Sequence, residues 1–219
     1  MYLLDKNIIW MHLNQNIEFE KEKELEKLVK KRASFYPLEY LTNRVSFYGE
    51  TFIIKENVLI PRPETEILVE KAYEVLKEIK NPRIVEVGIG SGIISVMLAK
   101  LLPNLKVIAV DINEDALNLA KENAIKHNVE KQIEFLKSDL LSNVIGDFDM
   151  CISNPPYISN NYVLPHNVKY EPKNALFGGE IGDELLKDIV KQTSISLPTP
   201  RQQVRDRVLL IALRFVTMS

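Results

Sequence analysis

RIVEVGIGSGIISVMLAKLLPNLKVIAVD, residues 83–111, decides the fold class. Ile84-Val85-Glu86-Val87 is a short, mostly β-branched run closed by Gly88, and residues 107–110 form a second apolar run ending at Asp111. Between them, residues 92–102 have the length and apolar content of a buried helix. Strand, helix and strand make one βαβ unit. Reading outward, Asn113 or Asp115 caps a further helix through about His127. Residues 133–136 and 150–153 read as a third and a fourth strand. This alternation predicts a parallel sheet covered by helices on both faces.

Upstream, Pro63 suits a first helical position, and Glu64 and Glu66 suit the positive end of a helix dipole. That helix is expected to reach about Lys80, burying Ile67, Leu68, Ala72, Val75, Leu76 and Ile79. Residues 44–60 carry β-branched and aromatic side chains around Gly49, which predicts a hairpin. Residues 17–33 are rich in Glu, Lys and Leu, with Leu25, Leu28 and Val29 on one face of an amphipathic helix. Pro37 ends that segment.

The 219 residues can bury a real core, and 46% hydrophobic with 26% charged residues is an ordinary globular balance. A lone cysteine, Cys151, excludes an internal disulfide and a cysteine-based zinc site. No long uncharged apolar run occurs, and Asp5 and Lys6 interrupt the N-terminus, so neither a membrane span nor a secretory signal is expected. The expected compartment is the cytoplasm. The net charge of -2 gives no global attraction to nucleic acid. Residues 191–219 differ in balance: Lys191, Arg201, Arg205, Arg207 and Arg214 stand against Asp206. That is +4, leaving -6 for residues 1–190. A junction in the chain and chance composition in a short segment both account for it.

The chemistry begins at Glu86-Val87-Gly88-Ile89-Gly90-Ser91-Gly92. Glycines let the backbone turn tightly and approach a ligand closely, and the next helix offers free N–H groups. A dinucleotide fingerprint would put its third glycine at position 93, which is Ile93. An acidic residue followed by G-x-G-x-G instead resembles the first motif of class I S-adenosylmethionine-dependent methyltransferases. Asp111, 19 positions after Gly92, can accept from both hydroxyls of a ribose. In the resembling methyltransferases the acidic residue at Asp139 meets the adenine amino group, and the next, Leu140, packs on the ring.

Asn154-Pro155-Pro156-Tyr157 follows the fourth strand directly, at the strand end where open α/β sheets bind ligands. An amide or aromatic amino nitrogen is a poor nucleophile because its lone pair is delocalised. The Asn154 side-chain carbonyl and the Pro155 backbone carbonyl can each accept one N–H of a planar NH2 group. Proline brings no competing N–H. Tyr157 can lie against the planar substrate. This makes Asn154, Pro155 and Tyr157 the candidate catalytic residues, and all four the candidate substrate-binding residues. The candidate cofactor-binding residues are Glu86, Gly88, Ile89, Gly90, Ser91, Gly92, Asp111, Asp139, Leu140 and Asn154. No metal ligands are expected. His12, His127 and His166 stand in no motif, and no general base is evident.

The same tetrapeptide occurs in amide-nitrogen and in adenine-nitrogen methyltransferases. Its flanks narrow the choice: Pro37-Leu38-Glu39-Tyr40-Leu41, Phe47-Tyr48-Gly49, Val58-Leu59-Ile60-Pro61-Arg62-Pro63-Glu64-Thr65-Glu66, Tyr170-Glu171-Pro172, Ala175-Leu176 and Gly178-Gly179-Glu180. In this order they closely resemble the bacterial peptide-chain release factor glutamine N5-methyltransferases, over about residues 37–187. The resemblance implies a Rossmann-like sheet, S-adenosylmethionine as cofactor, and methyl transfer to the glutamine of the Gly-Gly-Gln loop of release factors. It implies no membrane and no direct nucleic-acid partner. A near relative modifies a ribosomal-protein glutamine.

The implied organisation is a shortened N-terminal helical segment over 1–36, a hairpin and connecting helix over 37–82, and a cofactor-binding catalytic domain over 83–190. An atypical tail follows over 191–219, where one strand stands in place of the family's three, so the C-terminal half of the sheet is expected to be incomplete. Two other readings stay open. One is a nucleic-acid adenine-N6 methyltransferase, which needs a basic target-reading surface. The other is a shortened cofactor-binding remnant without turnover.

Overall fold

The structure, a computed structural model, describes residues 18–196 and 209–212. Helix α1 (Phe19–Ala33) and the short α2 (Leu38–Thr42) precede a hairpin of β1 (Arg44–Phe47) and β2 (Glu50–Ile53). Helix α3 (Thr65–Leu76) leads into β3 (Arg83–Val87), α4 (Ile93–Leu101), β4 (Lys106–Asp111), α5 (Glu114–Lys126) and β5 (Ile133–Lys137). Then come β6 (Met150–Ser153), β7 (Ile158–Ser159), β8 (Phe177–Gly179), α6 (Glu184–Ser196) and β9 (Leu209–Ala212).

The main sheet has the order β5-β4-β3-β6-β9, and each neighbouring pair is parallel. Successive side chains of a strand point to opposite faces. Ile84 therefore packs with Leu68, Leu98 and Ala120 of α3, α4 and α5 on one face. Val85 and Val87 pack with Cys151 and Ile189 on the other, beneath α6. The strand order reverses at β3: the chain winds outward through β4 and β5, then returns to β6 on the other side. Crevices at such reversals are where α/β sheets bind ligands.

Three local expectations are corrected. Helix α3 begins at Thr65 and ends at Leu76, not Lys80, and Pro63 lies in the turn before it. Its buried face carries Val69, whereas Ile67 is 44% exposed, a shift in helical phase set by packing on α4. In α1 none of the residues is buried, and Leu25 and Val29 lie exposed among the described residues. The hairpin turns at Tyr48 and Gly49, both left-handed, a geometry that matches the twist of paired strands.

The boundary expected at 190/191 falls inside α6. Beyond it, Thr193 is buried, and Gln192 Oε1 accepts the Leu141 backbone N–H at 3.0 Å. The strand expected at 208–213 is β9, which adds to β6 in register Met150 opposite Leu209. His12 lies outside the described residues.

Candidate active site

A cavity of about 480 Å³ opens at the carboxyl ends of four strands. Val87 of β3 and the following Gly88, Asp111 of β4, Ser138 and Asp139 after β5, and Ser153 of β6 with the following Asn154 line it. Parallel strands all end on one side, so the motifs that follow them converge although they lie far apart in sequence. The volume lies in the range of small-molecule sites.

Asp111 is held firmly at this cavity. Its Oδ2 accepts from Gly90 N at 3.0 Å, and its Oδ1 accepts from Asn113 N at 2.9 Å. Burial raises its carboxyl pKa, and the backbone N–H groups of Asn113 and Gly90 oppose the rise. A carboxylate offers about four lone-pair positions, so acceptor capacity remains for a ligand diol. Asn113 also caps α5, accepting from Asp115 N at 2.9 Å.

The glycine stretch divides into two sets. Gly88 and Gly90 line the cavity. Glu86, Ile89, Ser91 and Gly92 do not. Glu86 is buried on the opposite face, accepting from Ser95 N at 3.0 Å and from the Ser95 hydroxyl. It thereby fixes the first turn of α4 behind the loop. Burial pushes its carboxyl up to about 8, against the Ser95 bonds. Ile89 is a core residue. The Ser91 carbonyl accepts from Asn123 Nδ2 at 2.8 Å. A Cβ at Gly92 would lie 2.9 Å from Ala120 Cβ, so this glycine lets α4 approach α5.

Asp139 is exposed and Leu140 half-buried, and both line the same cavity. Asn154, Pro155 and Pro156 line it too. Tyr157 lines a second cavity of about 370 Å³, together with Arg62, Tyr162 and Leu164. Asn154, Pro155, Leu59 and Ala175 border both cavities. The Asn-Pro pair is therefore the threshold between them. Burial raises the Tyr157 phenol pKa, with Arg62 opposing, so the ring stays neutral at neutral pH.

The tetrapeptide is clamped by backbone. Ile158 N donates to Leu176 O at 3.0 Å, and Asn160 N donates to Gly179 O at 2.9 Å. A Cβ at Gly178 would stand 2.4 Å from Pro156 O, so only glycine permits this approach. On the other flank, Glu171 accepts from Ile60 N at 3.0 Å and pairs with Arg62 at 2.6 Å, bracing the 58–62 wall.

Several lining residues escaped sequence reasoning. Glu184, Leu185, Asp188 and Ile189 of α6 and residues 57–59 close the first cavity. Leu185 and Ile189 are ordinary apolar residues in sequence, and nothing local marks them as lining. Asn123, fully buried, ties α5 to both Ile53 and Ser91. A polar residue in the helix interior was the available signal. His127 stacks on Phe52, and His166 on Phe35; neither lines these two cavities.

Residues 64–170 match the Methyltransferase small domain family. A release factor glutamine methyltransferase of Clostridium botulinum is 38% identical over 195 residues, covering 86% of this chain and 69% of the relative. One of Enterococcus faecalis is 38% identical over 201 residues, covering 88% and 70%. One of Fusobacterium nucleatum is 39% identical over 188 residues, covering 83% of this chain and 52% of that relative. Among solved structures, the hMettl16 catalytic domain has a TM-score of 0.53 at 15% identity, covering 83% of this chain and 75% of that one, a likeness of fold alone. With a class I methyltransferase sheet, its motifs gathered at one sheet edge and relatives of this similarity, the chain belongs to the release factor glutamine methyltransferase family.

Proposed function

We propose that this chain transfers a methyl group from S-adenosylmethionine to the side-chain amide nitrogen of the glutamine in the Gly-Gly-Gln loop of release factors. The observation that carries the reading is the pair of cavities meeting at Asn154 and Pro155. The first has the acceptor set a nucleoside needs: a half-buried, oriented Asp111 with spare acceptor capacity, and Asp139 beside the apolar Leu140. When bound there, S-adenosylmethionine supplies an electrophilic methyl group on a sulfonium. Asp111 would hold the ribose hydroxyls, and Asp139 and Leu140 the adenine.

The second cavity would take the glutamine side chain against Tyr157. Asn154 Oδ1 and the Pro155 carbonyl would accept its two N–H groups. Both bonds strengthen as the nitrogen turns pyramidal and positive, so they favour the transition state over the ground state. The methylated nitrogen is then strongly acidic and sheds its proton to water. With Tyr157 held neutral, the residues at the threshold act by alignment and electrostatics.

The test is transfer of labelled methyl from S-adenosylmethionine to a purified release factor. The expected outcome is one labelled glutamine, with Asn154→Ala lowering kcat by about 100-fold or more, the scale of one lost electrostatic contact in a transition state. Cofactor affinity should change far less. Label incorporated at full rate by Asn154→Ala, or into adenine of a nucleic acid instead, would refute it.

A further inference from the structure

Resting on that reading, we infer that Thr65 is a positioning residue that holds the Asn154 amide with its carbonyl toward the target nitrogen. An asparagine amide is nearly symmetric in shape, and rotation by half a turn exchanges acceptor for donor. Turned the wrong way, Asn154 would present N–H to the N–H of the target amide. In the productive orientation, with Oδ1 turned to the target, the NH2 end needs an acceptor of its own.

Thr65 is the group in place to supply it. Its side chain is 3% exposed, and Asn154 Nδ2 donates to its Oγ1 at 3.4 Å. Thr65 lines neither cavity, so it acts through Asn154 and not on the ligands. It begins α3, and its own N–H is spent on Arg62 O at 3.0 Å, so its backbone is fixed while its hydroxyl meets Asn154. The bond joins residues 89 positions apart. It gives the buried polar residue at the start of α3 a side-chain partner. With the NH2 end engaged behind, Oδ1 is the end left for the target.

A hydroxyl can serve either end of a free amide, so the preference arises once the target N–H groups claim Oδ1: Nδ2 then needs the Thr65 acceptor, and its loss is that of one neutral hydrogen bond, a change in rate of about tenfold. The experiment measures kcat and KM for labelled-methyl transfer to a release factor, with calorimetric cofactor affinity and thermal unfolding of each variant. Thr65→Val keeps the shape and removes the acceptor; Thr65→Ser keeps the acceptor; Thr65→Ala provides a smaller replacement should Val not fold. We expect Thr65→Val or Thr65→Ala to lower kcat about tenfold, with KM and cofactor affinity changed less than about twofold. Thr65→Ser should recover most of the rate. Combined with Asn154→Ala, Thr65→Val should add no further loss, because there is no amide left to orient.

An undiminished kcat in Thr65→Val, a Thr65→Ser variant as slow as Thr65→Val, or full additivity with Asn154→Ala would overturn the inference. If Asn154→Ala reduces transfer while Thr65→Val does not, only the positioning role fails. If Asn154→Ala itself transfers at full rate, the underlying reading falls and this inference with it.

Discussion

Gly90 and Gly92 stand two residues apart in one loop, and the structure gives them different work. Both are left-handed, at φ +55° and +81°, so alanine at either position carries backbone strain of about 1–2 kcal/mol. The surroundings differ. A Cβ on Gly90 meets nothing within 4 Å, because it would project into open space at the cavity. A Cβ on Gly92 would meet Ala120 Cβ at 2.9 Å, Cα at 3.0 Å and the carbonyl oxygen at 3.4 Å. These are backbone and near-backbone atoms of a packed helix and have no rotamer by which to yield. Overpacking of this kind costs about 1–3 kcal/mol more. Gly92→Ala should therefore lose about 2–5 kcal/mol of stability, and Gly90→Ala about 1–2 kcal/mol. For a chain of this size each kcal/mol lowers the melting temperature by roughly 2–4 °C. Cofactor affinity should show the reverse order, falling about tenfold in Gly90→Ala, where the new methyl stands at the ligand wall, and less in Gly92→Ala. Urea unfolding and calorimetry on the two variants measure both quantities. If Gly90→Ala proves the less stable, or Gly92→Ala the weaker binder, the division of the loop into a ligand side and a packing side is wrong.

Asp111→Ala removes the acceptor for two hydroxyls and should weaken S-adenosylmethionine binding by about 1.5–3 kcal/mol per charged hydrogen bond lost; calorimetry showing unchanged affinity would count against the ribose role. Glu86 has its folded pKa raised from 4.5 to about 8, so the folded state binds the extra proton between these values. Its contribution is fully present below pH 4.5 and is lost as pH rises through 8. Glu86→Gln keeps a carbonyl acceptor for Ser95 and should be near neutral below pH 4.5 and increasingly stabilising toward pH 8, with divergence of the two urea-unfolding stability profiles over that window as the readout. Cutting after Val190 removes Gln192, buried Thr193 and the strand beside β6, and should lower the melting temperature by several degrees, roughly 2–4 °C per kcal/mol; an unchanged melting point would restore the view of 191–219 as a dispensable tail.

The elements at the centre of the molecule were legible because their signals are local. Residues 150–153 were read as a strand with the bounds observed, and the β3, α4 and β4 readings differ from observation by at most one residue at either end. The phase of α3 was not legible. Ile67 and Val69 are both apolar, and the choice between them is made by α4, which packs against α3. The length of α6 was obscured by composition, since the charge shift at residue 191 coincides with no break in the helix.

At the site, residue types and spacing singled out the candidate groups. Asn154, Pro155, Asp111, Gly88 and Gly90 all reach the cavity, because a strand's carboxyl end in a parallel sheet has one place to point. Sorting of the glycine motif needed three dimensions. Glu86 alternates with Val85 and Val87 and so turns toward Ser95, away from the cavity. Placement of Tyr157 in the second cavity alone, closure of the first by α6 and the bond from Asn154 to Thr65 depend on segments distant in sequence. Local sequence determines which backbone conformations and which chemical groups are present. Which groups share a cavity is decided by packing between elements, and no local pattern encodes that.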